Sequence, residues 1–323
     1  MTGPDDFQPS VFLPGGHLQT IGGHVVRSFL RWPYSSEDVV VESTDGARLL
    51  LRASWQAERD RPALLLVHGL EGSDRAPYVL ATGILAYRAG WHVVRMNMRG
   101  CGDSLAVCPR LYNAALTSDL LATMHWLAGR VSRFALVAFS LGANLSLLTA
   151  SREKPRLPRE FAALATVSPP LDMSRSADEL ERPSNFIYQL RFVLSLQSSY
   201  RRRQRLSPER YAPGRERGLK TLRAFDDVIT AHYGGYRDAE HYYQSASAGP
   251  RLKDIELPTL VLASRNDPFI PVESISHWER SSAVVLELTP SGGHVGFVGA
   301  KGPPRRFWAA HRVVSWLANL NPK

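Results

Sequence analysis

Phe134-Ala135-Leu136-Val137 runs through Ala138-Phe139-Ser140-Leu141-Gly142 into Ala143-Asn144-Leu145-Ser146-Leu147-Leu148-Thr149-Ala150, and the reading of this stretch decides the fold. Its first residues are short-run and apolar, as a strand buried on both faces must be, and its last eight suit a helix. Ser140 therefore falls on the turn between them. A hydroxyl held there is lifted from the backbone at a helix N-terminus, where amide N–H groups favour developing negative charge. Such a strand-serine-helix turn is a nucleophile elbow. The turn is so tight that the positions two before and two after the serine must be small, and Ala138 and Gly142 meet that demand. Alanine for the first glycine of the usual G-x-S-x-G string is a mild departure; the flanking strand and helix give the string its weight.

Outward from the elbow the same alternation recurs. Asp38 to Thr44 and Ala47 to Trp55, joined through Asp45-Gly46, predict an antiparallel hairpin. Further strands are predicted at Ala63 to Val67, His92 to Met96, Ala162 to Val167, Thr259 to Ala263 and Ala283 to Leu288, and helices at Tyr78 to Ala89, Ala114 to Leu127 and Arg306 to Leu317. Strand alternating with helix predicts an α/β chain with a mostly parallel central sheet and helices on both faces. Between about Pro169 and Pro258 the alternation stops and the chain turns arginine-rich, without a sheet strand. The expected organisation is a core in two parts, residues 1–168 and 258–323, with an inserted helical cap over 169–257. Such a cap would shape an acyl pocket and exclude water. An independent helical appendage is the other reading.

With 323 residues, 44% of them hydrophobic, the chain can bury a sizeable core, which excludes disorder as its main state. The start, Met1-Thr2-Gly3-Pro4-Asp5-Asp6-Phe7, has neither the basic opening nor the apolar stretch of a secretory signal, and no apolar run approaches the ~20 residues that span a bilayer. Cys101 and Cys108 are too few for a disulfide framework or a cysteine-ligated metal. A soluble cytoplasmic protein is the expectation. Much of the +9 net charge sits in one segment, where Arg191, Arg201, Arg202, Arg203, Arg205, Arg210, Arg215 and Arg217 lie among Phe186, Tyr188, Leu190, Phe192 and Leu194. A solvated helix face is the ordinary reading of such a run; peripheral contact of a basic amphipathic helix with an anionic membrane is the sharper one. No nucleic-acid-binding motif accompanies the charge, so nucleic acid is not an expected partner.

A serine hydroxyl is a poor nucleophile near neutral pH and needs a general base within hydrogen-bond reach, itself oriented by a third group. In a doubly wound hydrolase these come later in the chain, acid before histidine. Leu260 to Ala263 ends in Ser264-Arg265-Asn266-Asp267-Pro268, a turn that carries a carboxylate, and Asp267 is the candidate acid. The next strand runs into Ser291-Gly292-Gly293-His294-Val295-Gly296, and His294 is the candidate base, its glycines free to fold the loop over the strand ends. Alone, Asp267 reads as an ordinary turn residue and His294 as a loop histidine; order, position and the elbow join them into a catalytic triad with Ser140. His68-Gly69-Leu70-Glu71-Gly72-Ser73 follows the first central parallel strand, where the Leu70 N–H, with that of Leu141, would form an oxyanion hole. Arg99-Gly100-Cys101-Gly102-Asp103-Ser104 lacks the Gly-Lys-Ser/Thr ending of a phosphate-binding loop and reads as structural, with Cys101 a small buried residue.

On these residues the chain resembles the YheT-like α/β-hydrolases, the AB-hydrolase 4 family. The resemblance runs nearly end to end and rests on Gly16-His17-Leu18-Gln19-Thr20, His68-Gly69-Leu70-Glu71-Gly72-Ser73, Asn97-Met98-Arg99-Gly100-Cys101-Gly102-Asp103-Ser104, the elbow, Phe225-Asp226-Asp227, Asp267-Pro268-Phe269 and Gly292-Gly293-His294. It implies an α/β-hydrolase fold and the same triad of Ser140, Asp267 and His294. Ala138 and Ala143 depart from the glycines of many relatives. The expected function is a serine carboxylic-ester hydrolase acting on a hydrophobic short- to medium-chain acyl ester, a small molecule, with no metal or organic cofactor. The rivals are an acyltransferase that passes the same acyl-enzyme to an alcohol, and a non-catalytic lipid-associated binding protein.

Overall fold

The computed structural model describes residues 7–301 and 306–320. Eight strands form one sheet in the order β1-β2-β4-β3-β5-β6-β7-β8. β1 (Glu37–Glu42) and β2 (Arg48–Ser54) make the hairpin, antiparallel about Asp45-Gly46, with the Gly46 φ at 76°. β2 runs antiparallel to β4 (His92–Met96). From there β3 (Ala63–Val67), β5 (Phe134–Phe139), β6 (Phe161–Val167), β7 (Thr259–Ser264) and β8 (Val284–Thr289) are all parallel.

The central strands are buried on both faces, which is why they read as unbroken apolar runs. In β3, Ala63, Leu65 and Val67 enter one core while Leu64 and Leu66 enter the other, and in β5 Phe134, Leu136 and Ala138 oppose Ala135, Val137 and Phe139 in the same way. The helices follow that division. α1 (Gly15–Arg27) and α2 (Pro77–Arg88) precede α3 (Thr117–Ala128) and α4 (Leu141–Arg152); α3 and α4 cover the first face through Leu120, Met124, Leu145 and Leu148. The second face is covered by α2 and by the last helix, whose Trp308, Val313 and Leu317 are buried there.

Between β6 and β7 the described chain holds helices and turns only. α5 (Met173–Leu180) leads to the long α6 (Phe186–Leu206), then α7 (Leu222–Phe225) passes through a π-helical turn at Asp226–Ala231 into α8 (His232–Gly234), and α9 (Ala239–Ala246) returns to the sheet. α10 (Glu273–Ser276) follows β7, and α11 (Trp308–Asn319) closes the fold. The arginine run is not a uniformly solvated face. On α6, Val193, Leu196, Tyr200 and Arg203 recur at three- and four-residue spacing and turn inward, and Arg203 is 1% exposed, its guanidinium donating to the Gly100 carbonyl at 2.6 Å.

Candidate active site

β5 delivers Ser140 to the carboxyl edge of the sheet with φ at 51° and ψ at −122°, a conformation that costs an L-residue free energy and that α4 and the neighbouring turn enforce. The enforcement is steric. A Cβ on Gly142 would lie 2.2 Å from the His68 carbonyl oxygen, and one on Gly69 would lie 3.0 Å from the Ser140 Cβ. The elbow and the turn after β3 therefore pack backbone against backbone, an approach only glycine permits at position 142. Ala138, two before the serine, is fully buried between Val67 and Thr166 and leaves that packing undisturbed.

The structure brings Ser140, His294 and Asp267 together. His294 Nε2 lies 2.8 Å from the Ser140 Oγ, and His294 Nδ1 lies 2.9 Å from Asp267 Oδ2. With the ring proton on Nδ1 facing the carboxylate, Nε2 presents a lone pair to the serine hydroxyl. Asp267 follows β7 with its side chain 1% exposed, and its other oxygen accepts the N–H groups of Phe269 and Ile270, at 2.9 and 3.2 Å. Those two bonds make the Asp-Pro turn and fix the carboxylate. Phe269 also lies against the imidazole, ring centroids 4.6 Å apart.

The loop that carries His294 is folded back through left-handed backbone at Gly292 and Gly293, φ 152° and 61°, and again at Val295 and Phe297, φ 56° and 45°. Two non-glycine residues in that region need support, and α1 supplies it. Thr20 Oγ1 accepts the His294 N–H at 2.9 Å; Gln19, wholly buried, accepts the Val298 N–H at 2.7 Å and donates to the Val298 carbonyl at 3.2 Å; Arg27 donates to the carbonyls of Val295 and Gly296. Burial lowers the Arg27 guanidinium to about 10. The Gly16-to-Thr20 motif was visible in sequence only as a family mark; that it clamps the histidine loop was not.

After β3, the N–H of Gly69 donates to the Tyr78 hydroxyl at 3.0 Å and that of Glu71 to the Tyr112 hydroxyl at 2.8 Å. The Leu70 N–H between them has no acceptor among the described residues, and the Leu141 N–H opens α4, where no intrahelical carbonyl can reach it. His68 sits apart from this chemistry: it is fully buried, accepts the Met98 N–H at 3.1 Å, and burial pushes its imidazole down to about 4. Cys101 is buried with its thiol pushed up by burial, away from thiolate character. Arg99 is locked between Asp119 and Asp45, so its loop is structural.

Two cavities meet at Ser140 and His294. The first, about 870 Å³, runs under the inserted helices and is lined mainly by apolar side chains such as Met173, Leu180, Phe192, Leu196 and Phe225. Asp226 lies on its wall, where burial raises its carboxyl to about 6 despite hydrogen bonds from Thr230 and Tyr243. The second, about 1520 Å³, opens between α1 and α6 past Arg75 and Arg191. Glu71, φ 53°, lines both; its carboxylate accepts from Tyr112, Ser195 and Ser199, tying the turn after β3 to α6. Sequence reasoning gave Glu71 and Asp226 only as parts of family motifs, His68-to-Ser73 and Phe225-Asp226-Asp227, and assigned them no role. Among the described residues no cluster of three or more His, Cys, Asp or Glu could hold a metal ion.

Comparison with known proteins agrees with this architecture. The family model for the alpha/beta hydrolase fold matches residues 62–300. The Escherichia coli protein named "Putative esterase YheT" is 30% identical over 97% of this chain and 93% of its own length. The mouse "Phospholipase ABHD3" is 29% identical over 91% of this chain and 74% of its own. Among solved structures, a Pyrococcus furiosus esterase superposes with a TM-score of 0.60 at 16% identity, covering 90% of this chain and 92% of that one, a likeness of fold. The chain belongs to the α/β-hydrolase fold family, on its YheT-like branch.

Proposed function

We propose that Ser140, His294 and Asp267 act as the catalytic triad of a carboxylic-ester hydrolase. The observation that carries this reading is the relay of 2.8 and 2.9 Å contacts ending on a serine in an elbow conformation. Ser140 attacks the ester carbonyl as His294 Nε2 takes its proton; the same nitrogen then protonates the leaving alcohol, and Asp267 holds the imidazole in the tautomer that makes both steps possible. The N–H groups of Leu70 and Leu141 receive the oxyanion, each such donor contributing ~3 kcal/mol to transition-state stabilisation. Water activated by His294 releases the acid from the acyl-enzyme.

The apolar cavity beside Ser140 supports a hydrophobic acyl group of short to medium chain, and the open cleft receives the alcohol. Both cysteines are free, which suits the reducing cytoplasm as the place of action. No helix among the described residues is long and apolar enough to cross a membrane.

The test is intact-mass analysis after treatment with a fluorophosphonate. One adduct per chain, mapped to Ser140 and absent from Ser140→Ala, is the expected result; a folded protein that takes no adduct overturns the assignment. Adding a short alcohol during turnover separates hydrolysis from acyl transfer: acid remains the product for a hydrolase, and new ester at the expense of acid would show a transferase.

A further inference from the structure

Among the described residues thirteen large hydrophobic side chains stand exposed, and eleven of them fall in two segments: six between Val11 and Phe29, five between Phe186 and Leu206. The other two, Val40 and Val285, lie elsewhere. The clustering is ordered. At ~100° per residue, Leu18, Ile21 and Val25 of α1 share an arc of about 60°, and Phe186, Ile187, Leu190 and Leu194 of α6 an arc of about 100°. The buried residues Val193, Leu196, Tyr200 and Arg203 lie on the adjoining arc of α6, centred about 110° away. The two helices touch: the His17 ring stacks on Tyr188 with centroids 5.7 Å apart, and Arg191 Nη2 lies 3.3 Å from His24 Nε2. Ile21 and His24 of α1 face Tyr188 and Arg191 of α6 across the open cleft that leads to Ser140.

The charge on these segments is of one sign. Residues 11–36 and 183–208 contain no Asp or Glu, yet they carry Arg27, Arg31, Arg191, Arg201, Arg202, Arg203 and Arg205. Arg27 and Arg203 are buried; the other five are exposed, and of these only Arg201 reaches a carboxylate, Glu216 at 3.8 Å. An apolar patch of this extent rimmed by cations, four of the five without an acidic partner, is a surface that still lacks its partner.

We propose that this face docks on an anionic lipid bilayer, with the apolar residues of α1 and α6 entering the headgroup boundary, the arginines on lipid phosphates, and the cleft mouth set against the membrane. A second copy of the chain would answer the apolar stripes but would set arginine against arginine with no acid to compensate. A bilayer answers both. Docking itself is independent of the hydrolase reading, which it deepens by giving the cleft a hydrophobic ester drawn from the membrane side.

The experiment is vesicle flotation with Ser140→Ala protein, so that binding is read apart from chemistry, on phosphatidylcholine alone and mixed with phosphatidylglycerol. The protein is expected to float with the mixed vesicles. Phe12→Ser, Phe29→Ser, Phe186→Ser and Ile187→Ser combined should weaken that binding at least about tenfold. Arg201→Glu, Arg202→Glu and Arg205→Glu combined should abolish the preference for phosphatidylglycerol. In the Ser140 background, neither set should change hydrolysis of a water-soluble short-chain ester, since none of the seven residues lines either cavity. Failure to float, or equal flotation of parent and variants, overturns the proposal. So does a lipid-free dimer that the serine set converts to monomer, which would make the face a self-interface. Intact flotation with no hydrolysis would instead refute the esterase reading alone.

Discussion

Thr20→Val tests whether the N-terminal helix holds the His294 imidazole in place. Valine nearly keeps the shape of threonine and removes one hydroxyl, which accepts the His294 N–H at 2.9 Å and donates to the Gly16 carbonyl at 2.7 Å. The valine methyl takes the place of that hydroxyl beside the His294 N–H, in a turn so closely packed that a single Cβ added at Gly293 would lie 2.4 Å from the Gly16 oxygen and 2.6 Å from the Thr20 Oγ1. The substitution therefore leaves a half-buried amide N–H without an acceptor, at a cost of about 1–3 kcal/mol, which lowers Tm by several degrees. The loop can recover that cost only by shifting, and a shift of about 1 Å in the imidazole lowers kcat/KM by up to ~100-fold. Thr20→Ser keeps the oxygen and should restore most of both. The assay is kcat/KM on a water-soluble chromogenic ester alongside thermal unfolding of the three proteins. Wild-type rate and Tm in Thr20→Val would refute the clamp. A Thr20→Ser protein as slow as Thr20→Val would show that the methyl group, not the hydrogen bond, is what counts.

Two further outcomes follow from the carboxylates that line the chamber. Asp226 has its folded-state pKa raised from 3.8 to about 6, so between those values the native protein binds more protons than the unfolded chain and stability falls as pH rises through the window. Asp226→Asn removes that penalty, and its Tm relative to wild type should climb between pH 4 and 7, with a full effect on the order of 3 kcal/mol; the opposite slope from His68, held down near 4, is common to both proteins and cancels. A flat difference across that range would refute the raised pKa of Asp226 in the folded state. Glu71→Ala should lower kcat on the order of tenfold and change KM less, because the residue fixes the turn that aims the Leu70 N–H, and Ser195→Ala with Ser199→Ala should reproduce part of the loss. An unchanged kcat in both variants would refute the tie between that turn and α6.

The parts of the fold that were legible in sequence are those where one physical demand governs each residue. β3 and β5 must be apolar on both faces, so their limits show in composition alone, and Ser140, Asp267 and His294 each close a recognisable strand in the expected chain order. α1 was not legible as an element. Its Gly15-Gly16 and Gly22-Gly23 pairs disfavour a helix, yet a Cβ on Gly23 would lie 2.8 Å from the Gly296 Cα, so the glycine that weakens the helix is what lets it touch the histidine loop. Arg203 hid within a run of identical residues, where only the helical turn that buries Tyr200 decides which arginine points inward. Glu71 owes its place to a left-handed backbone and to three donors distant in sequence, none of which a local pattern records.

The two cavities also constrain the order of events. The chamber beneath α5, α6 and α7 is walled by Met173, Leu180, Leu196 and Phe225, so an acyl group placed there, as proposed above, would leave water little access from that side. On that reading water for the second half-reaction would reach Ser140 through the cleft between α1 and α6, the space assigned to the leaving alcohol. On the proposed acyl-enzyme route, alcohol departure would thus precede entry of the hydrolytic water. The same geometry would also set the two products on different paths. On the proposed route the alcohol would leave directly through the cleft mouth, whereas the acid would withdraw from the chamber past Phe192, Phe269 and Glu71, which line both spaces, so release of the acid is the step that enlarging Phe192 or loosening the Glu71 tie should alter first.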